Sequence, residues 1–260
     1  MQPVDRYAAA LRQTLRATSA LGARLTDGDW RRPTECPLWT VGDIYAHLAA
    51  VEGWMAAGHL PLETDDFQSW LDADVAARRS EPREAVLAEL AEMCRIREKQ
   101  LDDLPDPDSP AVHIWGEPTT FLGLLAVRVL DCWVHEQDIR RAVGQPGGLG
   151  SPGARVARDG FVEALPRIVA RRVKAPPGST IRLTVVGEVG LDVAVEMNGS
   201  GRGKLISARQ VDRPTAHVTI EWESYARLSC GRGLRSEHHA WLTGDRGLAE
   251  KLLDHLAITP

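Results

Sequence analysis

The chain has 260 residues, of which 43% are hydrophobic and 26% charged. These proportions are ordinary for a globular protein and exclude a disordered, collagenous or coiled-coil chain. With 31 basic against 36 acidic side chains the net charge is −5, which disfavours nucleic acid or an anionic membrane as a partner. The four cysteines, Cys36, Cys94, Cys132 and Cys230, are far apart and form no CxxC pair. That is the usage of a reducing compartment rather than of a disulfide scaffold. The N-terminal run carries charge throughout, unlike a signal peptide. The best apolar stretch, Phe121 to Val127, stops at Arg128, well short of the roughly 18 residues of a membrane span. The expectation is a cytoplasmic monomer with neither a membrane nor a nucleic-acid partner.

In chain order, residues 4–25 place Tyr7, Leu11, Leu15, Thr18 and Leu21 at three-to-four spacing, the mark of an amphipathic helix. The segment RRPTECPLWTV, with Pro33 and Pro37, reads as a loop. Thr40, three residues before Asp43, predicts an N-cap for a second helix from Val41 to Gly58. A looser connection is expected over 59–80. A third helix runs from Pro82, suited to a first turn, to Leu104, and PDPDSP breaks the chain after it. A fourth runs from Thr119 to Val143, stopped by Gly144 with Pro146 beyond. These four helices predict a four-helix bundle over 1–145.

The stretch QPGGLGSPG (145–153) predicts a domain boundary. One helix is expected over 153–173. The segments IRLTVVG, LDVAVEM and HVTIEW then alternate apolar and polar residues as strands do. The glycine-rich GSGRG (199–203) reads as a turn, and Ser224–Cys230 and Gly247–Leu256 as helices. The expected second domain, 150–260, is a smaller α+β unit with a mostly antiparallel sheet.

The fourth helix carries the informative residues. At about 100° per residue, Arg128, Asp131, His135 and Asp138 fall on one stripe, continuous with Phe121, Leu124 and Ala142. A stripe that a bundle buries holds four polar groups, and buried charge must be paired or bound to a metal. Two readings follow. One is an internal ion network, with Arg128 on Asp131 and His135 on Asp138. The other is a metal site, because Asp131 and His135 at i,i+4 share a face and reach a single ion. His47 on the second helix lies at the edge of the core stripe Val41, Ile44, Leu48, Val51 and Met55. Bundle metal sites are built from facing helices in this way. Three protein ligands with an open fourth position is the catalytic arrangement. A carboxylate and two imidazoles suit zinc, and ferrous iron, manganese or nickel also fit.

Other residues read more plainly. Cys132 is expected to be a small buried hydrophobe. His238 and His239 read as an exposed pair unable to share a metal. His113 and Trp115 precede the fourth helix, with packing as the expected role. Trp39 and Trp54 read as core, Arg140 and Arg141 as a basic helix end, and Glu35 and Glu52 have no identifiable partner.

The segment RPTECPLWTVGDIYAHLA resembles the start of helix two in DinB-type metal-binding bundles. RVLDCWVHEQDIRRAVG resembles helix four of the mycothiol-dependent maleylpyruvate isomerase family of actinobacteria. ESYARLSCGR resembles the sterol-carrier-like domain that follows the bundle there. The resemblance implies a metal triad of His47, Asp131 and His135. It departs at Asp131, where the family carries glutamate; the shorter aspartate must approach more closely or bind through water. It further implies that Asp138 orients an imidazole. An arginine of the second domain, Arg232 with Arg227 as runner-up, would hold a substrate carboxylate. The implied cosubstrate is the small-molecule thiol mycothiol, activated on zinc as a thiolate for addition to a small electrophilic, carboxylate-bearing substrate. The outcome would be isomerisation or S-transfer. Competing readings are a metal-dependent hydrolase using activated water and a non-catalytic ligand- or metal-binding protein.

Overall fold

The computed structural model describes residues 2–58, 67–112 and 118–259. The chain divides into two compact units, Met1–Ala157 and Arg158–Pro260, with the division inside one helix. His113 and Trp115 lie outside the described residues. No described helix is long and apolar enough to cross a membrane.

The first unit contains α1 (Pro3–Gly22), the short α2 (Asp27–Trp30), α3 (Val41–Ala57), α4 (Phe67–Arg78) and α5 (Arg83–Gln100). A small antiparallel pair follows, β1 (Pro110–Val112) and β2 (Pro118–Thr120), then α6 (Phe121–Val143) and the start of α7 (Pro152–Arg167). The four long helices α1, α3, α5 and α6 form the expected bundle. α1 packs on α5 and α6, and α3 packs on the same two. The core they share includes Leu11, Leu15, Leu21, Ile44, Tyr45, Leu48, Leu90, Leu125 and Val129. The i,i+3 and i,i+4 recurrence of these positions is why the segments are helical and why they assemble.

α3 starts where Thr40 closes a reciprocal cap. The Asp43 amide donates to Thr40 Oγ1 at 3.2 Å, and the Thr40 amide donates to Asp43 Oδ2 at 2.9 Å. α6 starts at Thr120, whose Oγ1 accepts from the Gly123 amide, and ends at Gly144 in the left-handed region (φ 67°). The expected loose connection over 59–80 is corrected in its second part, which folds as α4. Leu71 and Val75 of α4 are four residues apart and seal a small cluster with Ala46 and Val51. Among the described side chains of α4 only Leu71 and Val75 are buried, too weak a period to read beforehand.

A fully buried ion network crosses the bundle. Glu52 of α3 receives Arg128 of α6 at 2.7 Å and Arg97 of α5 at 3.0 Å. Glu52 and Arg128 have no exposed surface and Arg97 is 6% exposed. Burial favours the neutral acid at Glu52, but Arg128 and Arg97 outweigh burial and hold its carboxyl below the usual range. Glu52, without a partner by sequence, therefore has two.

The second unit opens with the rest of α7, which contains Pro166 and widens into a π-helical turn at Ile168–Val173. Five strands follow: β3 (Thr180–Val186), β4 (Leu191–Met197), β5 (Gly203–Ser207), β6 (Ala216–Glu221) and β7 (Ala240–Gly244). Helix α8 (Trp222–Ser229) lies between β6 and β7, and α9 (Arg246–Asp254) follows β7. The sheet order is β5-β4-β3-β6-β7, antiparallel except for the central β3–β6 pair. Ile181, Leu183 and Val185 face the core from β3, as Val218 and Ile220 do from β6. Phe161, Trp222, Tyr225 and Leu252 are buried on the helices of this unit. β5 and β7, both absent from the sequence reading, are the two edge strands.

Two stability predictions follow. Glu52→Gln takes from Arg97 its carboxylate partner and leaves Arg128 with that of Asp131, and is expected to lower the unfolding free energy at pH 7 by about 3–5 kcal/mol, read by urea titration. The folded pKa of Glu52 is depressed. Its contribution is therefore complete above the unfolded value of about 4.3 and is lost as pH falls through the folded one. The gap between variant and wild type must narrow on acidification; a gap constant into acid would refute the network. Thr40→Ala removes the α3 cap and is expected to cost about 1 kcal/mol, with an unchanged denaturant slope.

Candidate metal centre

His47 lies in the middle of α3, on the bundle side of a helix whose residues 41–52 are all buried. Asp131 and His135 lie four residues apart on α6, so their side chains stack on one face. His47 Nε2 is 3.1 Å from Asp131 Oδ2, and His135 Nε2 is 3.6 Å from Asp131 Oδ1. The imidazole centroids are 4.7 Å apart, edge to face. One ligating atom from each residue lies within 4.8 Å of the others.

These groups are of the kind that hold a small cation. Two ligand atoms about 2.1 Å from a tetrahedral ion lie about 3.4 Å apart; the histidine nitrogens stand 3.1 Å and 3.6 Å from different oxygens of Asp131, the shorter contact being a hydrogen bond. The protonation states fit as well. Burial pushes the His47 imidazole down, against the pull of Asp131, so it is the neutral ring that a metal requires. Burial opposes ionisation at Asp131, but His47, Arg128 and His135 outweigh it and hold the carboxyl well below its usual range. Of those three, only Arg128 is charged at every pH.

Arg128 ties this cluster to the buried network. Its Nη1 donates to Asp131 Oδ2 at 2.9 Å while its Nη2 holds Glu52. Cys132 is buried, as expected, with its sulfur 3.3 Å from the same guanidinium. Asp138 is fully buried. Its Oδ2 is 3.3 Å from His135 Nδ1, and its Oδ1 accepts from Arg141 at 3.0 Å, which also pairs with Glu35 at 2.8 Å. Both pairs of the ion-network reading are therefore present, around the same atoms as the metal reading. Trp39 lies against both imidazoles, with centroids 5.0 Å from His47 and 5.6 Å from His135. Trp54 instead meets Trp70 of α4.

Four candidates, His47, Asp131, His135 and Asp138, thus come together in the first unit. Arg227 and Arg232 belong to the second. Arg232 is 2% exposed, and its Nη1 donates to the Cys230 carbonyl at 2.8 Å. Arg227 pairs with Glu237 at 3.3 Å. The expectation of an exposed His238–His239 pair is corrected: His238 is 2% exposed, with Nε2 3.2 Å from the Arg232 carbonyl, and neither histidine is helical. The sequence reading missed Glu52 as the anchor of Arg128. The signal was there, since each is the lone charge in an apolar run, Leu48–Ala57 on α3 and Phe121–Leu130 on α6.

The family model described as the mycothiol maleylpyruvate isomerase N-terminal domain matches residues 11–140, half of the chain. No curated protein sequence matches. A crystal structure titled as the mycothiol-dependent maleylpyruvate isomerase is 14% identical with a TM-score of 0.58, over 89% of this chain and 90% of that one. A histidine-to-alanine mutant under the same name is 13% identical with a TM-score of 0.57, over 93% of each chain. At such identity the structural likeness establishes a shared fold, and the family rests on the sequence match that spans α3 and nearly all of α6. The chain belongs to the mycothiol maleylpyruvate isomerase N-terminal domain family.

Proposed function

We propose that this chain is a metal-dependent enzyme that uses mycothiol to attack a small electrophilic, carboxylate-bearing substrate, as an isomerase or a thiol S-transferase. The observation that carries this reading is the convergence of His47 Nε2 and His135 Nε2 on the two oxygens of Asp131. We assign the cation to these three residues, with zinc as the ion that best suits two imidazoles and a carboxylate. A divalent cation there supplies the Lewis acidity that deprotonates a bound thiol, whose free pKa is near 8.5.

The residues of the chain prepare that chemistry. Arg128 keeps Asp131 ionised and holds its Oδ2, which leaves Oδ1 as the freer ligand atom. Asp138 beside His135 Nδ1 favours the tautomer with the proton there, so that the Nε2 lone pair faces Asp131. Trp39 covers the imidazoles and keeps water from them. Arg232 is assigned to the substrate carboxylate, with Arg227 as the alternative, because a guanidinium fork pairs with a carboxylate through two hydrogen bonds. In either outcome the thiol would lose its proton to solvent, a sulfur–carbon bond would form at one end of a conjugated carbon–carbon double bond, and the π electrons would pass to the substrate carbonyl as an enolate. In the isomerase the former double bond, now single, would rotate and the enolate would expel the thiolate, restoring the double bond; in the transferase the enolate carbon would take up a proton and the sulfur would stay.

Metal content by elemental mass spectrometry is the test. Wild type is expected to hold about one cation per chain, lost in both His47→Ala and His135→Ala with folding intact by circular dichroism. Mycothiol consumption with an electrophile should fall with the metal. A wild type that binds no cation after zinc is supplied would overturn the reading. Arg232→Lys keeps the charge but not the fork, and is expected to raise KM for the carboxylate substrate more than it lowers kcat.

A further inference from the structure

His135 presents a second nitrogen to a second set of ligating groups. Its Nε2 faces Asp131, whereas its Nδ1 faces Asp138, and the two ring nitrogens point in different directions. One ligating atom from each of Cys36, His135 and Asp138 lies within 4.8 Å of the others. All three are enclosed: Asp138 has no exposed surface, His135 6% and Cys36 9%. His135 Nδ1 makes no hydrogen bond to any described residue, although Asp138 Oδ2 is only 3.3 Å away. Asp138 is therefore its charged neighbour without an aligned hydrogen bond, and a buried nitrogen so placed is open to a further group.

We propose that Cys36, His135 and Asp138 form a second cation site, selective for soft, thiolate-seeking ions, that competes with the first for His135. Sulfur is the distinguishing donor. The first set offers only nitrogen and oxygen, whereas Cys36 adds a thiolate, which favours ions such as cadmium or cuprous copper. Binding converts the Cys36 thiol to thiolate and releases its proton to solvent. Competition follows from the ring. A neutral imidazole has one nitrogen lone pair to give and carries its proton on the other nitrogen. The tautomer that serves Asp131 and His47 through Nε2 closes Nδ1, and the tautomer that opens Nδ1 closes Nε2.

The loop before α3 holds Cys36 in place by bonds of its own, and Glu35 beside it pairs with Arg141 of α6. The Cys36 amide donates to Thr34 Oγ1 at 3.2 Å, and its carbonyl accepts from the Trp39 amide at 3.2 Å. The same loop thus brings Trp39 over one part of the His135 ring and Cys36 to another. The second site rests on the geometry around His135 alone and stands whether or not the first set is the working centre.

The test uses the full chain without an affinity tag, stripped by chelator and titrated with cadmium. The readouts are thiolate-to-metal charge-transfer absorption in the ultraviolet and bound metal by mass spectrometry. His47→Ala, which removes a ligand of the first set only, is expected to bind one cadmium with the charge-transfer band. Adding Cys36→Ser or, in parallel, Cys36→Ala should abolish the band and weaken cadmium binding by at least about tenfold. Zinc added to the wild type should suppress the band as it occupies the first set. The site is overturned if His47→Ala binds cadmium without the band, or if the band survives loss of Cys36. Competition is overturned if one zinc and one cadmium bind together with the band intact. Zinc bound by the wild type with no band in His47→Ala would remove this site and leave the first reading standing. A folded wild type that binds neither ion would remove both.

Discussion

The guanidinium of Arg128 is the constraint on which the first unit turns. It has no exposed surface and cannot shed its charge, so the bundle must surround it with carboxylates. Burial disfavours its charged form, but the carboxylates of Glu52 and Asp131 outweigh burial and keep it firmly protonated. Glu52 comes from α3 and Asp131 from α6 itself, so satisfying this one cation locks the two helices in register. That register is what places His47 opposite His135. The ion network and the candidate metal centre are therefore parts of one arrangement, and the distinction between them drawn from spacing alone dissolves in three dimensions.

The electrostatics run in sequence from the interior to the site. Arg97 and Arg128 hold Glu52 ionised, Arg128 with its permanent charge does the same for Asp131, and burial leaves His47 neutral. Each state is the one a cation-binding carboxylate–imidazole set requires. The outer side is organised likewise: Glu35 and Arg141 support Asp138, which stands beside His135. His135 thus has carboxylates at both nitrogens, and the tautomer it adopts decides which set of groups it serves. The shorter Asp131, where glutamate was expected from the family resemblance, stands 3.1 Å and 3.6 Å from the two imidazole nitrogens.

Legibility varied with the strength of the period. The four long helices were readable because their cores repeat over several turns, and α3 and α6 also carry Thr40 and Gly144 as caps. The central strands β3 and β6 were readable because Ile181, Leu183 and Val185, and Val218 and Ile220, alternate toward one buried face. The edge strands β5 and β7 were not. Leu205 and Trp241 point outward at 38% and 62% exposure, so no apolar alternation marks them. At the site, His47, Asp131, His135 and Asp138 were readable from helical spacing. Glu52, Cys36 and Trp39 were not assigned there, because their relation to α6 depends on contacts between segments some 80 to 100 residues apart.

The sequence by itself determined the helix faces, the caps, the order of a helical bundle followed by an α+β unit, and the residue types of a candidate divalent-cation site. Those are local properties, set by spacing along a single element. Only the tertiary structure decided that both nitrogens of His135 have carboxylate neighbours, that Asp131 shares its Oδ2 with a buried arginine, and that Cys36 reaches the same ring. A distance of three or four ångströms between helices is fixed by core packing and by the demand of a buried charge for partners. Neither is written in the spacing of any one helix.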